Sequence, residues 1–212
     1  MVVTKIPLRE QVKELVLERI LDGTYKPGDR LVETRIAQEL GTSQAPVREA
    51  LRELESLRFV ESEPFRGARV RAVSRAQMAE IYPVRAALEE VAGREAARRM
   101  NGDVKALEAE LAAMRRAARA GDIHRQVEHD VRFHRVIVEA AGNATLLEVW
   151  SSLRIEARTI ITLLTTGIDP AELVEFHVPV LEALRSGDPD EAGRVLRHHV
   201  EHFADLLLKE PE

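Results

Sequence analysis

Apolar side chains recur at Leu8, Val12, Leu15, Val16, Ile20 and Leu21, the three-and-four spacing of an amphipathic helix over 8–21. Asp22-Gly23 ends that pattern, and Lys26-Pro27-Gly28-Asp29 reads as a turn. A short helix is expected over 34–40, closed by Gly41. Another is expected over 43–57, capped by Ser43, with Pro46 tolerated in its first turn. Two helices joined through Gly41-Thr42-Ser43 have the outline of a helix-turn-helix. Stretches 59–63 and 68–73 then read as two short strands around 64–67, a hairpin that would form a wing.

Beyond Val73 the pattern is helical throughout, with helices expected over 74–100, 103–120, 122–141, 144–166, 171–186 and 189–208. Ser74 with Gln77 forms a capping box, and Val73 against Met78 a hydrophobic staple. Asn101-Gly102 is the stop signal for the first of these helices. Asp188-Pro189-Asp190-Glu191 is the start signal for the last. Pro83 and Pro179 fall inside helices and should kink them. The fold expected is mainly α: a winged helix-turn-helix over 1–73, then an all-helical bundle of six to seven helices over 74–212.

Composition narrows the class. Across 212 residues, 45% are apolar, which supports a packed globular chain. No apolar run approaches the roughly 18 residues of a membrane span, and the first residues lack a signal-peptide pattern. There is no cysteine, hence no disulfide and no thiolate ligand or nucleophile, in keeping with a cytoplasmic protein. The net charge of −5 is unevenly divided: residues 1–73 carry 13 Lys+Arg against 12 Asp+Glu, the remainder 18 against 24. Because a net of +1 is not a basic domain, any DNA contact depends on where particular arginines point.

On the 43–57 helix, Val47, Ala50, Leu51, Leu54 and Leu57 fall inward, whereas Gln44, Ala45, Arg48 and Arg52 fall outward. Such residues near the start of a second helix can reach base edges in a major groove, and the helix N-terminus can hold a phosphate. Arg66 and Arg69 flank the wing tip, where Gly67 permits close approach to a minor groove. The competing reading pairs these arginines with Glu49, Glu53 or Glu55 on a solvated surface.

All seven histidines lie between His124 and His202. Asp130 and His134, four apart, share the face that carries Ile123, Val127, Val131 and Val138. His177 is in line with Leu173, Val180, Leu181 and Leu184, and His199 with Ala192, Leu196, Phe203 and Leu206. His198 and His202 share a polar face, and His124 and His129 look peripheral. Polar groups aimed into a core must meet a partner. One carboxylate and three imidazoles form a good set for a divalent transition metal: zinc first, with nickel, manganese or iron as alternatives. The plainer alternative is an Asp130–His134 hydrogen bond beside two ordinary core histidines. A metal in such a site could also activate water or merely lock the bundle. No further acid or base, however, falls inward at convincing spacing. Arg85 lies on the stripe of Met78, Ile81 and Leu88 and needs an inward partner, either Asp130 or a ligand's carboxylate.

The run Pro46-Val47-Arg48-Glu49-Ala50-Leu51, preceded by Leu31 to Ser43 and followed by Arg66-Gly67-Ala68-Arg69-Val70, resembles the DNA-binding domain of GntR-family regulators over roughly 8–73. By that resemblance Ser43, Arg48 and Gly67 touch DNA; Thr34, Arg35, Gln44, Ala45, Arg52 and Arg66 complete the candidate set. Gln44-Ala45 departs from the Arg-Thr or Arg-Ser common in the family. Asp130 to His134, Ala141-Gly142-Asn143, His177, the run Leu181 to Asp188, and His199 resemble the FCD ligand-binding domain of the FadR subfamily. The resemblance implies a metal on Asp130, His134, His177 and His199 and a small carboxylate effector, for which Arg85, Asn143, Arg154 and Arg158 are the candidate contacts, Asn143 having a helix cap as its alternative role. It also implies a homodimer on an inverted-repeat operator in double-stranded DNA, usually repressing until ligand arrives. Phe176 stands where a glutamate or similar polar residue often precedes the third ligand.

Overall fold

The computed structural model describes residues 7–21, 24–57, 59–63, 67–71, 79–153, 155, 159 and 168–208. The chain divides into two compact units, Met1–Ser74 and Arg75–Glu212.

In the first unit, α1 (Leu8–Leu21) precedes the two-residue strand β1 (Arg30–Leu31). Then come α2 (Glu33–Glu39), α3 (Gln44–Ser56) and the hairpin strands β2 (Val60–Glu63) and β3 (Gly67–Val70). The helices fall where periodicity placed them because their inward residues share one core: Val12, Val16, Ile36, Val47, Ala50, Leu51 and Leu54 are all buried. Lys13, only 3% exposed, threads between Glu10 Oε2 at 2.5 Å and Glu53 Oε1 at 2.7 Å and ties α1 to α3. Burial alone would lower the Lys13 pKa, but these two carboxylates outweigh it and raise it. Ser43 has the extended backbone of an N-cap, yet its side chain makes no capping bond.

The sheet has the antiparallel order β1-β3-β2, with Leu31 opposite Ala68 and Val60 opposite Val70. β1 was not expected from sequence, since two residues carry no readable alternation. β3 starts at Gly67, whose φ of +82° is costly for a side-chain-bearing residue, and ends at Val70 rather than 73.

The second unit contains α4 (Ile81–Met100), α5 (Lys105–Arg119), α6 (Ile123–Ala140), α7 (Ala144–Ser152), α8 (Pro170–Glu175), α9 (Val178–Ser186) and α10 (Pro189–Leu208). Their core includes Leu107, Met114, Phe133, Ile137, Trp150, Leu184 and Leu196. Asn101, in the left-handed region at φ 47°, ends α4 as anticipated. Asp188 Oδ1 accepts the N–H groups of Asp190 and Glu191 to start α10.

Three expected helices are interrupted. α4 begins at Ile81 after a turn at Glu80. Pro83 therefore sits in its first turn, where its missing N–H has no intrahelical acceptor, rather than in the helix interior as expected. The expected capping box and staple lie outside the described residues. α7 stops at Ser152 with a turn at Leu153; Ile155 and Thr159 beyond it are again helical, and the rest of 154–167 lies outside the described residues. The 171–186 helix is split at Phe176–His177. Pro179 cannot donate to the Glu175 carbonyl and clashes with it, so the chain breaks before the proline and restarts with Pro179 in the first turn of α9. That break lets the His177 side chain enter the core from a helix start.

Candidate metal centre and nucleic-acid interface

α6 contributes Asp130 and His134 one turn apart, the start of α9 contributes His177, and α10 contributes His199; all four are buried. One ligand atom from each of the three histidines lies within 4.8 Å of the others. His134 Nε2 is 3.4 Å from His199 Nε2, and Asp130 Oδ1 is 3.0 Å from His177 Nε2. Phe133 packs edge-on against the His134 and His177 rings.

The opposite ring nitrogens are all committed to oxygen acceptors. His134 Nδ1 meets Glu89 Oε2 at 2.6 Å, His177 Nδ1 the Val174 carbonyl at 3.1 Å, and His199 Nδ1 the Phe176 carbonyl at 3.1 Å. None of those oxygens can donate, so in each neutral imidazole Nδ1 carries the proton and Nε2 keeps a lone pair. Burial lowers the His134 pKa, as Arg85 does, against an opposing pull from Glu89. Burial, His177, His134 and Arg85 together take His199 well below the ordinary value. The three Nε2 atoms thus face one another and the Asp130 carboxylate. His177 Nε2 shows this most clearly: Asp130 Oδ1 is close but off hydrogen-bond direction, leaving that nitrogen buried with no hydrogen-bond partner among the described residues. Such an arrangement is repulsive unless a cation shares the lone pairs, and the set fits a divalent transition metal.

Glu89 was not found by sequence reasoning, which expected no further inward acid. It is fully buried, and Oε1 accepts Arg85 Nε at 2.6 Å and Trp150 Nε1 at 2.9 Å. Burial pushes its carboxyl upward, but Arg85 and His134 beside it outweigh this and hold it well below the usual carboxylate range. Asp130 is likewise held low, burial being overcome by His177, His134 and Arg85. Arg85 has an inward partner in Glu89, one turn along α4, which was not expected from sequence. In place of the Asp130–His134 hydrogen bond of the plainer alternative, Glu89 meets His134 and Asp130 meets His177.

A cavity of about 20 Å³, enough for at least one water-sized occupant, is bordered by Arg85, Gln126, Asp130, His134, Thr159 and His177, among others. Thr159 Oγ1 donates to Asp130 Oδ2 at 3.4 Å. Asn143 is exposed and caps α7, its Oδ1 accepting the Leu146 N–H at 3.1 Å; it does not border this cavity. Arg154 and Arg158 lie outside the described residues. Of the peripheral histidines, His129 meets Glu110 Oε2 at 2.7 Å, His198 is exposed and His202 packs against Phe176.

In the first unit, Gln44, Ala45, Arg48 and Arg52 are exposed along α3, with Ser43 before them. Thr34 and Arg35 are exposed at the start of α2, and Gly67 is exposed at the wing; Arg66 lies outside the described residues. Arg48 is paired, though not with the glutamates of its own helix: its guanidinium donates to Glu33 Oε2 from Nε at 3.1 Å and from Nη2 at 2.9 Å.

Comparison with known proteins gives two family matches. Residues 8–70 match the gntR family of bacterial regulatory proteins, and residues 80–202 match the FCD domain. The chain is 38% identical over 197 residues to the probable D-xylose utilization operon transcriptional repressor of Paenarthrobacter nicotinovorans, covering 93% of this chain and 87% of that one. It is 29% identical to the HTH-type transcriptional regulator McbR of Escherichia coli (strain K12), over 97% and 95% of the two chains. The solved structure of E. coli McbR/YncC superposes with a TM-score of 0.63 at 26% identity, covering 96% of this chain and 98% of that one. No described helix is long and apolar enough to cross a membrane.

Proposed function

Because the chain belongs to the GntR family, with an FCD domain following its DNA-binding domain, we propose that it is a metal-dependent repressor relieved by a small organic acid. That it is a DNA-binding transcriptional regulator follows from the family; these relatives are regulators, not enzymes. In this reading, 1–73 grips the operator and 74–212 dimerises and senses. Negative control is supported by the relative named as a repressor.

One observation carries the metal reading: three buried Nε2 lone pairs converge while every Nδ1 is committed to an acceptor. Asp130, His134, His177 and His199 would hold the ion, with zinc the first candidate. The ion would supply a fixed positive charge able to take a carboxylate. Arg85, already neutralised by Glu89, shapes the cavity wall and leaves that charge to the metal. An acid that binds one arrangement of the bundle better than another can bias the DNA-binding domains.

Thr34, Arg35, Ser43, Gln44, Ala45, Arg48, Arg52, Arg66 and Gly67 form the DNA-facing set. In a homodimer two such sets read an inverted repeat. The test joins two assays. Untagged protein should carry close to one equivalent of metal per chain, lost in both His177→Ala and His199→Ala; retention in both variants rejects the metal. Fluorescence anisotropy on duplex from upstream of its own gene, against scrambled duplex across a salt series, should show salt-sensitive preference that an acid weakens. No preference with metal present and acid absent rejects the repressor reading.

A further inference from the structure

Gln126 is 3% exposed and faces the same cavity as Asp130 and His134, which follow it at one-turn intervals along α6. Its Nε2 donates to the Pro170 carbonyl at 2.8 Å. That bond fixes the amide orientation, because the reversed amide would set oxygen against oxygen. Its Oε1 is therefore the atom left over, buried with no hydrogen-bond partner among the described residues. A buried acceptor without a donor is destabilising, and few native groups are left so.

We propose that Gln126 is a specificity-determining residue whose Oε1 accepts a hydrogen bond from a hydroxyl group on the effector. This rests on the effector reading above and narrows it to hydroxylated acids. The chemistry separates the two ends of the ligand. An acceptor repels a carboxylate, so the carboxylate goes to the metal-binding end at Asp130 and the histidines. An O–H satisfies Oε1 at the other end. One helical turn, roughly 5–6 Å, separates Gln126 from Asp130 along the axis. The hydroxyl recognised is thus several bonds from the carboxylate, too remote to join it on one ion. A deoxy analogue leaves Oε1 unpaired, and sites built for a hydroxyl discriminate strongly on that ground.

The experiment uses the metal-loaded full chain and isothermal titration with matched probes: 4-hydroxybutyrate against butyrate, D-gluconate against hexanoate, and 4-aminobutyrate as the cationic donor. We expect each hydroxy acid to bind at least tenfold tighter than its unsubstituted partner. Gln126→Leu should reduce that preference to within twofold, the loss falling mainly on the hydroxy acid. Gln126→Met should do the same, with metal content and melting temperature confirming that both variants fold. Four results overturn the proposal. One is that acids bind the native chain without preference; another is that the preference survives in folded Leu and Met variants, which removes Gln126 as its source. Alternatively 4-aminobutyrate binds tightest, which makes the donor an ammonium. If neither class of acid binds although metal is retained, the effector reading itself fails, and this assignment with it.

Discussion

Glu89 Oε2 accepts the Nδ1 proton of His134 at 2.6 Å, and both side chains are essentially inaccessible to solvent. The same carboxylate also receives Arg85 and Trp150, so a single buried charge orients one candidate ligand and neutralises an arginine. Breaking a buried ion pair from one side strands the other charge, at about 3–5 kcal/mol. Glu89→Gln should therefore destabilise the second unit by about that amount in urea melts. Adding Arg85→Met should recover part of it by removing the stranded cation. Metal affinity should fall by about 10–100-fold in both, since His134 loses its charged acceptor. A Glu89→Gln protein that melts like the native chain would contradict this account.

The metal-free protein should be acid-labile in a defined window. His134 and His199 are held below the ordinary histidine value of 6.5, so around and below that pH the unfolded chain binds more protons than the folded one. Stability is then complete above about pH 6.5 and declines as pH falls from there toward the depressed folded values. Glu89 and Asp130 are also depressed, which adds a loss only below their unfolded values near 4.5 and 3.8. Chelator-dialysed protein should show a falling urea midpoint from pH 7.5 to 5.5, and His199→Leu should flatten that slope. A midpoint constant over this range would remove the histidines as its cause.

The difference between what was legible in the sequence and what was not has a physical pattern. Asp130, His134, His177 and His199 could be read because each lies among Val, Leu or Phe residues that mark the inward face. Glu89 could not. On α4 the large apolar residues Ile81 and Leu88 suggested one face, yet both are only partly buried, while Tyr82, Arg85, Glu89, Ala92, Gly93, Ala96 and Ala97 are buried. The buried stripe of α4 is made largely of small residues, which periodicity rules weigh lightly, and it lets α10 approach closely. Similarly, the break at Phe176–His177 depends on Pro179 two residues later, and β1 exists only because β3 is there to pair with it.

That close approach can be tested at Gly93. A Cβ there would lie 2.9 Å from the Ala192 carbonyl oxygen and 3.3 Å from Gly193 Cα, both backbone atoms that cannot rotate away. Alanine would improve helix propensity by about 1 kcal/mol. Overpacking against rigid backbone costs about 1–3 kcal/mol and should prevail. Gly93→Ala is expected to lower the urea midpoint. Because α4 carries Glu89 and α10 carries His199, it should also weaken metal binding. A stabilised variant would mean that the helices separate freely.

Arg48 and Glu33 offer a separate test in the DNA-binding unit. The bidentate pair is solvent-exposed, so its contribution to stability is small and its consequence lies in what Arg48 can reach. Glu33 aims the guanidinium and also sets a negative charge beside the DNA-facing surface. Glu33→Gln should raise affinity for scrambled duplex several-fold and steepen the salt dependence by about one unit of slope, as a released arginine finds phosphate. Preference for the operator should meanwhile fall, because an unaimed Arg48 reads bases less well. Arg48→Ala should lose about 1–3 kcal/mol on the operator and little on scrambled DNA. Anisotropy on both duplexes separates the possibilities. If Arg48→Ala weakens the two duplexes equally, Arg48 is a phosphate contact, and the Glu33 pair does not serve base reading.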